Sequence, residues 1–249
     1  MILSFRRLLK ETDIGVAVVI FGDKVPPDIW PQLTFTHWQR IFFIAMYLKD
    51  PLVEVAAKEM CRTAKTFADW RLAYLDFSAR SELRNQAFQK MMKGASTFEH
   101  WLAIYSLAGD RAKEKKAATE KMMQLAQTFN DWYRICINLQ PDHRFLAKAQ
   151  SRMEETAATL EDWVLVYSYV SLPEGKKRAI KKVLALAKTF EELVFVHNFT
   201  RLTELRREAM KKIRRKPITL EELLKLSKDR KLSGDLFSFF KKKIRAMIR

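Results

Sequence analysis

The chain has 249 residues and a formal net charge of +17, from 46 lysines and arginines against 29 aspartates and glutamates. Its 48% hydrophobic and 30% charged residues are ordinary for a folded protein that buries a sizeable core. With only 6 glycines and 7 prolines, the composition favours helices over a turn-rich β fold. The apolar run Val16–Phe21 is far shorter than the roughly 20 residues that span a bilayer.

Residues 1–32 do not follow the repeat that organises the rest of the chain. The run Val16–Phe21 is rich in β-branched side chains and is bounded by Gly15 and Gly22, so residues 14–22 fit either a strand or a degenerate helix. Terminal units of repeat proteins are usually atypical because they must cover the end of the core. We therefore expect residues 1–32 to form an N-terminal cap.

From residue 33 onward, one short motif recurs: a threonine, then phenylalanine or leucine, two mostly polar residues, and tryptophan or leucine. The seven copies begin at Thr34, Thr66, Thr97, Thr128, Thr159, Thr189 and Thr219. Their spacings are 32, 31, 31, 31, 30 and 30 residues. Such a regular interval predicts seven structural repeats of about 31 residues.

Each copy of the motif predicts the start of a helix. Threonine is a favourable N-cap, because its side chain accepts a hydrogen bond from a free N–H of the first turn. A carboxylate three residues later can return a bond to the cap N–H and suits the positive end of the helix dipole. Five copies have this acid: Asp69, Asp131, Asp162, Glu192 and Glu222. His37 and His100 occupy the same position in two others, where we interpret them as weaker caps.

Apolar residues then recur at helical spacing, and turn residues such as Asp50-Pro51 and Gly109-Asp110 separate a first helix from a second. A pair of short helices cannot bury its apolar face alone, so stacked pairs are expected to share a continuous core. Two ladders of equivalent residues would fill it. They are Trp38, Trp70, Trp101, Trp132 and Trp163, and Phe42, Tyr74, Tyr105, Cys136, Tyr167 and His197. We interpret both ladders as core rather than as stacking platforms for bases.

Over residues 33–249, the repeated unit resembles the tetratricopeptide-like and HEAT-like classes of helical repeat. The strict tetratricopeptide motif has a glycine four residues after its tryptophan, where this chain has Phe42, Tyr74 and Tyr105. The repeats predict an all-α solenoid of about seven helix–turn–helix units, in agreement with this resemblance. Because no flexible linker is visible, we expect one elongated domain with its N-terminal cap.

The basic charge is concentrated near the C-terminus. Residues 1–172 contain 23 lysines and arginines against 20 acids, whereas residues 173–249 contain 23 against 9. One position on the second helix of the repeats is also repeatedly basic, with Lys90, Lys121, Arg152, Lys182, Lys212 and Lys242. Stacked repeats would align these side chains as a ridge. A lysine-rich helix face also serves solubility, so the ridge alone is compatible with a structural role.

The candidate residues for contact with nucleic acid or another anion are Lys90, Lys121, Arg152, Lys181, Lys182, Arg206, Arg207, Lys211, Lys212, Arg214, Arg215, Lys241 and Lys242. Excess cations of this kind are typical of proteins with polyanionic partners. No glycine-rich phosphate loop, nucleophile elbow or metal-ligand spacing is present, so we expect a binding protein rather than an enzyme, with no cofactor and no metal.

Nucleic acid, and RNA more than DNA, is the first partner that this pattern predicts. The alternative is a scaffold for an acidic protein or a subunit of an assembly. A third reading is a membrane-surface protein that uses its basic C-terminal helix. Cys61 and Cys136 predict two buried free thiols rather than a disulfide framework, which suits the cytoplasm or another reducing compartment such as an organellar matrix.

Overall fold

The structure is a computed structural model that describes residues 30–77, 80–139, 144–199, 203–227 and 232–248. Within these ranges, consecutive helices pack in pairs, which form seven hairpins. In the first three hairpins the helices are α1 (Phe35–Leu48) and α2 (Leu52–Thr63), α3 (Phe67–Asp76) and α4 (Ser81–Gly94), and α5 (Phe98–Leu107) and α6 (Ala112–Leu125). The fourth and fifth hairpins contain α7 (Phe129–Asn138) and α8 (Leu146–Thr156), then α9 (Leu160–Tyr169) and α10 (Pro173–Leu186). The sixth and seventh contain α11 (Phe190–Phe199) and α12 (Thr203–Arg215), then α13 (Leu220–Ser227) and α14 (Gly234–Ile248).

The predicted fold class, an all-α solenoid of helix–turn–helix repeats, is confirmed, and the described residues contain no strand. The chain divides into two compact units, Met1–Leu125 with the first three hairpins and Ala126–Arg249 with the other four. Of the predicted N-terminal cap, residues 1–29 lie outside the described residues, and so does the choice between strand and helix for residues 14–22. A short 3-10 helix, Trp30–Gln32, leads into α1 and places the Trp30 ring 5.2 Å from that of Trp38.

Each first helix begins one residue after a motif threonine, and reciprocal hydrogen bonds explain why. The Thr66 hydroxyl accepts a bond from the Asp69 N–H at 3.1 Å, while the Asp69 carboxylate accepts one from the Thr66 N–H at 2.9 Å. The same exchange recurs at Thr128, Thr159, Thr189 and Thr219. In the first repeat, the His37 ring replaces the carboxylate and accepts a bond from the Thr34 N–H at 3.1 Å. The predicted helix starts are therefore confirmed.

The aromatic ladders form the core, as the sequence predicts. Four tryptophans of the first ladder are buried, and Trp163 is half-buried. Members of the second ladder also join neighbouring hairpins. In the first unit, the Phe42 and Phe77 rings pack at 5.7 Å, and the Tyr74 hydroxyl donates a hydrogen bond to the Leu107 carbonyl at 2.8 Å. Each fully buried aromatic side chain contributes about 1.5–3 kcal/mol, so these ladders supply much of the stability of the stack.

One contact between the fourth and fifth hairpins depends on the absence of a side chain. Gly175 is buried in the first turn of α10, where a Cβ would overlap the Val170 Cγ1 and lie 2.8 Å from a carboxylate oxygen of Glu154. The same Glu154 accepts two hydrogen bonds from the Arg178 guanidinium, at 3.0 and 3.1 Å. Glycine at this position therefore leaves room for the Val170 side chain and for the Glu154 carboxylate of α8.

We expect Gly175→Ala to lower the free energy of unfolding by about 1–3 kcal/mol, because the added methyl group overpacks this contact. Urea denaturation followed by circular dichroism measures the change. Gly234→Ala is the matched control in the same unit, since no heavy atom lies within 4 Å of its added Cβ. The control should be neutral or stabilising by up to about 1 kcal/mol. Equal effects of the two substitutions would contradict the tight approach at Gly175.

Because of its capping carboxylates, we expect the folded protein to lose stability in acid. Burial raises the pKa of Asp69, but bonds from the Lys65 and Thr66 N–H groups and the Thr66 hydroxyl outweigh it and hold the pKa below 3.8. A lowered folded-state pKa stabilises the protein above 3.8, and this contribution is lost as the pH falls through the folded-state value. Asp69→Asn, which cannot titrate, should therefore flatten the loss of unfolding free energy below about pH 4.

Asp76, at the end of the same helix, is the control, because burial raises its pKa despite a bond from Gln39. Its titration has the opposite sign, so Asp76→Asn should steepen the acid loss rather than flatten it. The measurement is the urea denaturation midpoint of the wild type, Asp69→Asn and Asp76→Asn at a series of pH values from neutral to acid. A flatter profile in both variants would show that the caps are not responsible.

Candidate functional site

The second helices of the last four hairpins form one layer within the second unit. The Arg178–Glu154 pair joins α10 to α8, and the Lys212 ammonium group donates to the Leu184 carbonyl at 2.5 Å, which joins α12 to α10. Arg206 binds Asp235 at 2.6 Å and joins α12 to α14. Eleven of the thirteen candidate cations lie on this layer, while Lys90 and Lys121 lie on α4 and α6 in the first unit.

Several candidate cations have acidic partners. Arg152 pairs with Glu155 at 2.7 Å and Lys211 with Glu208 at 2.6 Å, each three residues apart on its own helix. Arg206 is neutralised by Asp235, as described above. Such exposed pairs add little stability. They do reduce the attraction that these cations exert on an approaching anion.

Other candidates have structural contacts that the sequence did not reveal. The ammonium groups of Lys90 and Lys182 each lie 5.8 Å from the ring centroid of the motif tryptophan in their own hairpin, Trp70 and Trp163. Cation–π contacts of this kind contribute about 0.5–1 kcal/mol at exposed sites. Lys212, through its bond to the Leu184 carbonyl, interacts favourably with the negative C-terminal end of α10. Two members of the predicted ridge, Lys90 and Lys182, thus stabilise their own hairpins. A third, Lys212, joins the sixth hairpin to the fifth.

Lys121, in the first unit, donates a hydrogen bond to the Gln124 side chain at 3.4 Å. The other six candidates are exposed, and no hydrogen bond or ion pair joins them to another described residue. We call them the unpaired cations: Lys181 on α10, Arg207, Arg214 and Arg215 on α12, and Lys241 and Lys242 on α14. Lys243 and Arg245 on α14 share both properties, although the sequence did not single them out as contacts. Their signal was the run Lys241-Lys242-Lys243. Three neighbouring helices therefore display a dense set of cations without acidic partners.

The register of the predicted ridge changes in the last hairpin. The buried Leu236 and Phe240 of α14 follow the buried Leu205 and Ala209 of α12 by 31 residues, not by the 30 that aligned Lys212 with Lys242. The position equivalent to Lys212 is therefore Lys243. The predicted interval of 30 rests on the spacing of the threonines, whereas the packing of α14 places Leu236 and Phe240 in the core.

A cleft of about 660 Å³ opens between α12 and α14. Met210 of α12 and Phe239 of α14 form apolar parts of its lining, and Arg214, Lys242 and Lys243 surround it with positive charge. A second depression of about 540 Å³ adjoins it and shares Lys242 with it. Its other cations, Lys241 and Arg245, extend the positive lining along α14.

A polar junction around the buried His197 lies at one end of the cleft. His197 is 1% exposed and contacts the Asp235 carboxylate at 3.2 Å and the Ser233 hydroxyl at 3.3 Å. Burial would raise the pKa of Asp235, but hydrogen bonds from Ser233 and Arg206, together with other smaller interactions, lower it to about 2. Burial also lowers the pKa of His197, against the influence of Asp235. At neutral pH the junction therefore contains an uncharged imidazole and a carboxylate that Arg206 neutralises.

Three other properties of the described residues bear on function: metal binding, thiol reactivity and membrane insertion. Among them, no group of three or more histidine, cysteine, aspartate or glutamate side chains is placed to hold a metal ion. Burial raises the pKa of Cys136 to about 12 and of Cys61 to about 11, so both free thiols are protonated at neutral pH. Cys136 is buried as expected, but Cys61 is only half-buried. None of the described helices combines the length and apolar character needed to cross a bilayer.

The chain matches no protein-family model, no curated protein and no solved structure. Its function is therefore to be inferred from the chemistry of its own residues. The strongest feature of that chemistry is the unpaired positive charge on α10, α12 and α14.

The structural and unpaired lysines should respond differently to loss of charge. Lys182→Gln should lower the free energy of unfolding by about 0.5–1 kcal/mol, because it removes the contact with Trp163. Lys242→Gln should leave it unchanged or raise it slightly at low salt, because it removes repulsion from neighbouring cations. Urea denaturation at low and high salt measures both. Similar losses in the two variants would contradict the distinction.

Proposed function

We propose that the chain is a non-enzymatic helical-repeat protein that binds nucleic acid, RNA in preference to duplex DNA, through its basic second helices. The supporting observation is the set of unpaired cations on three neighbouring helices of the second unit. So much like charge repels itself, and a bound polyanion would relieve that repulsion. Each phosphate contact would also release counterions, which favours binding at low salt.

The preference for RNA follows from the type of surface. Sequence-dependent reading of a DNA duplex commonly places a helix or strand in the major groove. Here the cations lie on helices packed side by side in a layer, which suits a flexible strand laid across it better than a groove. The resemblance to tetratricopeptide-like and HEAT-like repeats is compatible with this role, since stacked repeats present extended binding surfaces.

A protein-interaction scaffold is the second candidate, and it has separate support in the first unit. The α1 helix exposes Phe43, Met46, Tyr47 and Leu48, with Tyr47 86% exposed. Contiguous exposed apolar side chains commonly mark protein contacts. The unpaired cations would then attract an acidic segment of that partner.

The decisive measurement is the binding of fluorescent single-stranded RNA and a DNA duplex across a salt series. We expect micromolar or tighter binding of RNA at low salt, with a steep decrease as salt rises. A variant with Arg214, Lys241 and Lys242 changed to glutamine should bind more weakly. The slope of log affinity against log salt should become shallower by about 0.7 for each phosphate that the variant no longer binds.

The control changes Arg152, Lys177 and Lys211 to glutamine, which removes the same formal charge from the same unit. Each of these cations is already paired with a glutamate three residues away. This variant should therefore lose much less affinity than the first. RNA binding weaker than about 100 μM at low salt would contradict the proposal. The scaffold would then be favoured if one stoichiometric protein is recovered after nuclease treatment.

A further inference from the structure

The α12–α14 cleft has an ordered arrangement of side chains that the total charge does not reveal. Arg206, Met210 and Arg214 follow one another at intervals of four along α12, and Asp235, Phe239 and Lys243 do so along α14. Residues four apart lie on one face of a helix, roughly 6 Å apart along its axis. The two rows therefore place an ion pair, then two apolar side chains, then two cations along the same cleft.

The charges at one end of the cleft are paired, whereas those at the other end are not. Arg206 and Asp235 satisfy each other at 2.6 Å, and His197 also contacts that carboxylate. At the other end, Arg214 and Lys243 line the same cleft together with Lys242, and none of the three has a partner among the described residues. Three unpaired cations around one cleft form a site for an anion. The carboxylate of Asp235 disfavours that anion at the opposite end.

Between these ends, the cleft offers an apolar contact rather than a polar one. Met210 is buried and Phe239 is half-buried, so part of the aromatic ring borders the cleft. Its volume of about 660 Å³ lies in the range of small-molecule sites. Aromatic side chains beside a cationic groove are the arrangement by which proteins bind single strands, since every base has a face that can stack.

The geometry points to one unstacked base of a single-stranded nucleic acid bound against Phe239 and Met210, with its phosphate held by Arg214, Lys242 and Lys243. This inference rests on the proposed function and adds to it the side chains that would bind a base. A duplex keeps its bases stacked and paired, and so cannot place one in the cleft without an energetic cost. The adjoining depression, with Lys241 and Arg245, would receive a neighbouring phosphate.

The experiment compares a short oligoadenylate RNA with an abasic strand of equal length and charge, both at low salt. Wild type should bind the RNA more tightly than the abasic strand. Phe239→Leu keeps the apolar volume but removes the ring, and Phe239→Ala removes both. Each should weaken binding of the RNA, by roughly 5- to 150-fold for alanine, and leave binding of the abasic strand unchanged.

Phe237→Ala is the matched control, because Phe237 lies on the same helix, is 50% exposed and does not line the cleft. It should leave the affinity for both strands unchanged. Thermal unfolding of each variant checks that the fold is intact, and Phe239→Leu provides the test if the alanine variant does not fold. A loss of affinity for the RNA alone in Phe239→Leu supports the cleft as a base site.

Equal binding of the two strands, unaffected by changes at Phe239, overturns the base site but leaves the phosphate interface standing. A lack of binding to both strands at low salt overturns the proposed function and the base site together. Binding of phosphatidylserine vesicles in place of either strand has the same consequence, and assigns the cations to a membrane surface. The failure of the cleft is thus distinguishable from the failure of nucleic-acid binding.

Discussion

The exchange of hydrogen bonds between a threonine and the side chain three residues later determines where the first helices begin. It satisfies two backbone N–H groups that would otherwise lack partners, and the threonines that begin it recur at intervals of 30 to 32 residues. At Thr97 only one half of the exchange forms, with the His100 N–H donating to the threonine hydroxyl. With its start fixed, each first helix presents the tryptophan or leucine of its motif to the core. The basic positions of the second helices keep a similar interval up to Lys212, and the seventh hairpin shifts it by one residue.

Much of the fold could be predicted because its determinants are local. Capping residues, helical periodicity and a constant interval are all properties of short stretches of sequence, and repetition makes them unmistakable. The register of the last hairpin was harder, since it depends on how α14 packs against its neighbours rather than on Thr219. The burial of Leu236 and Phe240 shows a shift of one residue that the threonine spacing does not contain.

The candidate site was less predictable than the fold, because sequence shows which side chains are charged but not which are neutralised. Lys182, Lys211 and Lys242 are all exposed lysines on second helices. One lies beside Trp163, one pairs with Glu208, and one has no partner among the described residues. The Lys211–Glu208 spacing is visible in sequence as a helical pair. The contact with Trp163 depends on the packing of two helices, and no spacing rule would have identified it.

The close approach at Gly175 has a consequence for how this chain could have grown. Helical repeats are often described as interchangeable modules that can be copied and inserted. The fifth hairpin does not fit that description, since its glycine and Arg178 are complementary to Glu154 of the fourth. A copy placed beside any other hairpin would lack the partner that its surface is shaped to meet. The fourth and fifth hairpins therefore depend on each other's side chains, and a copy of the fifth would keep this contact only beside a hairpin that offers the same carboxylate.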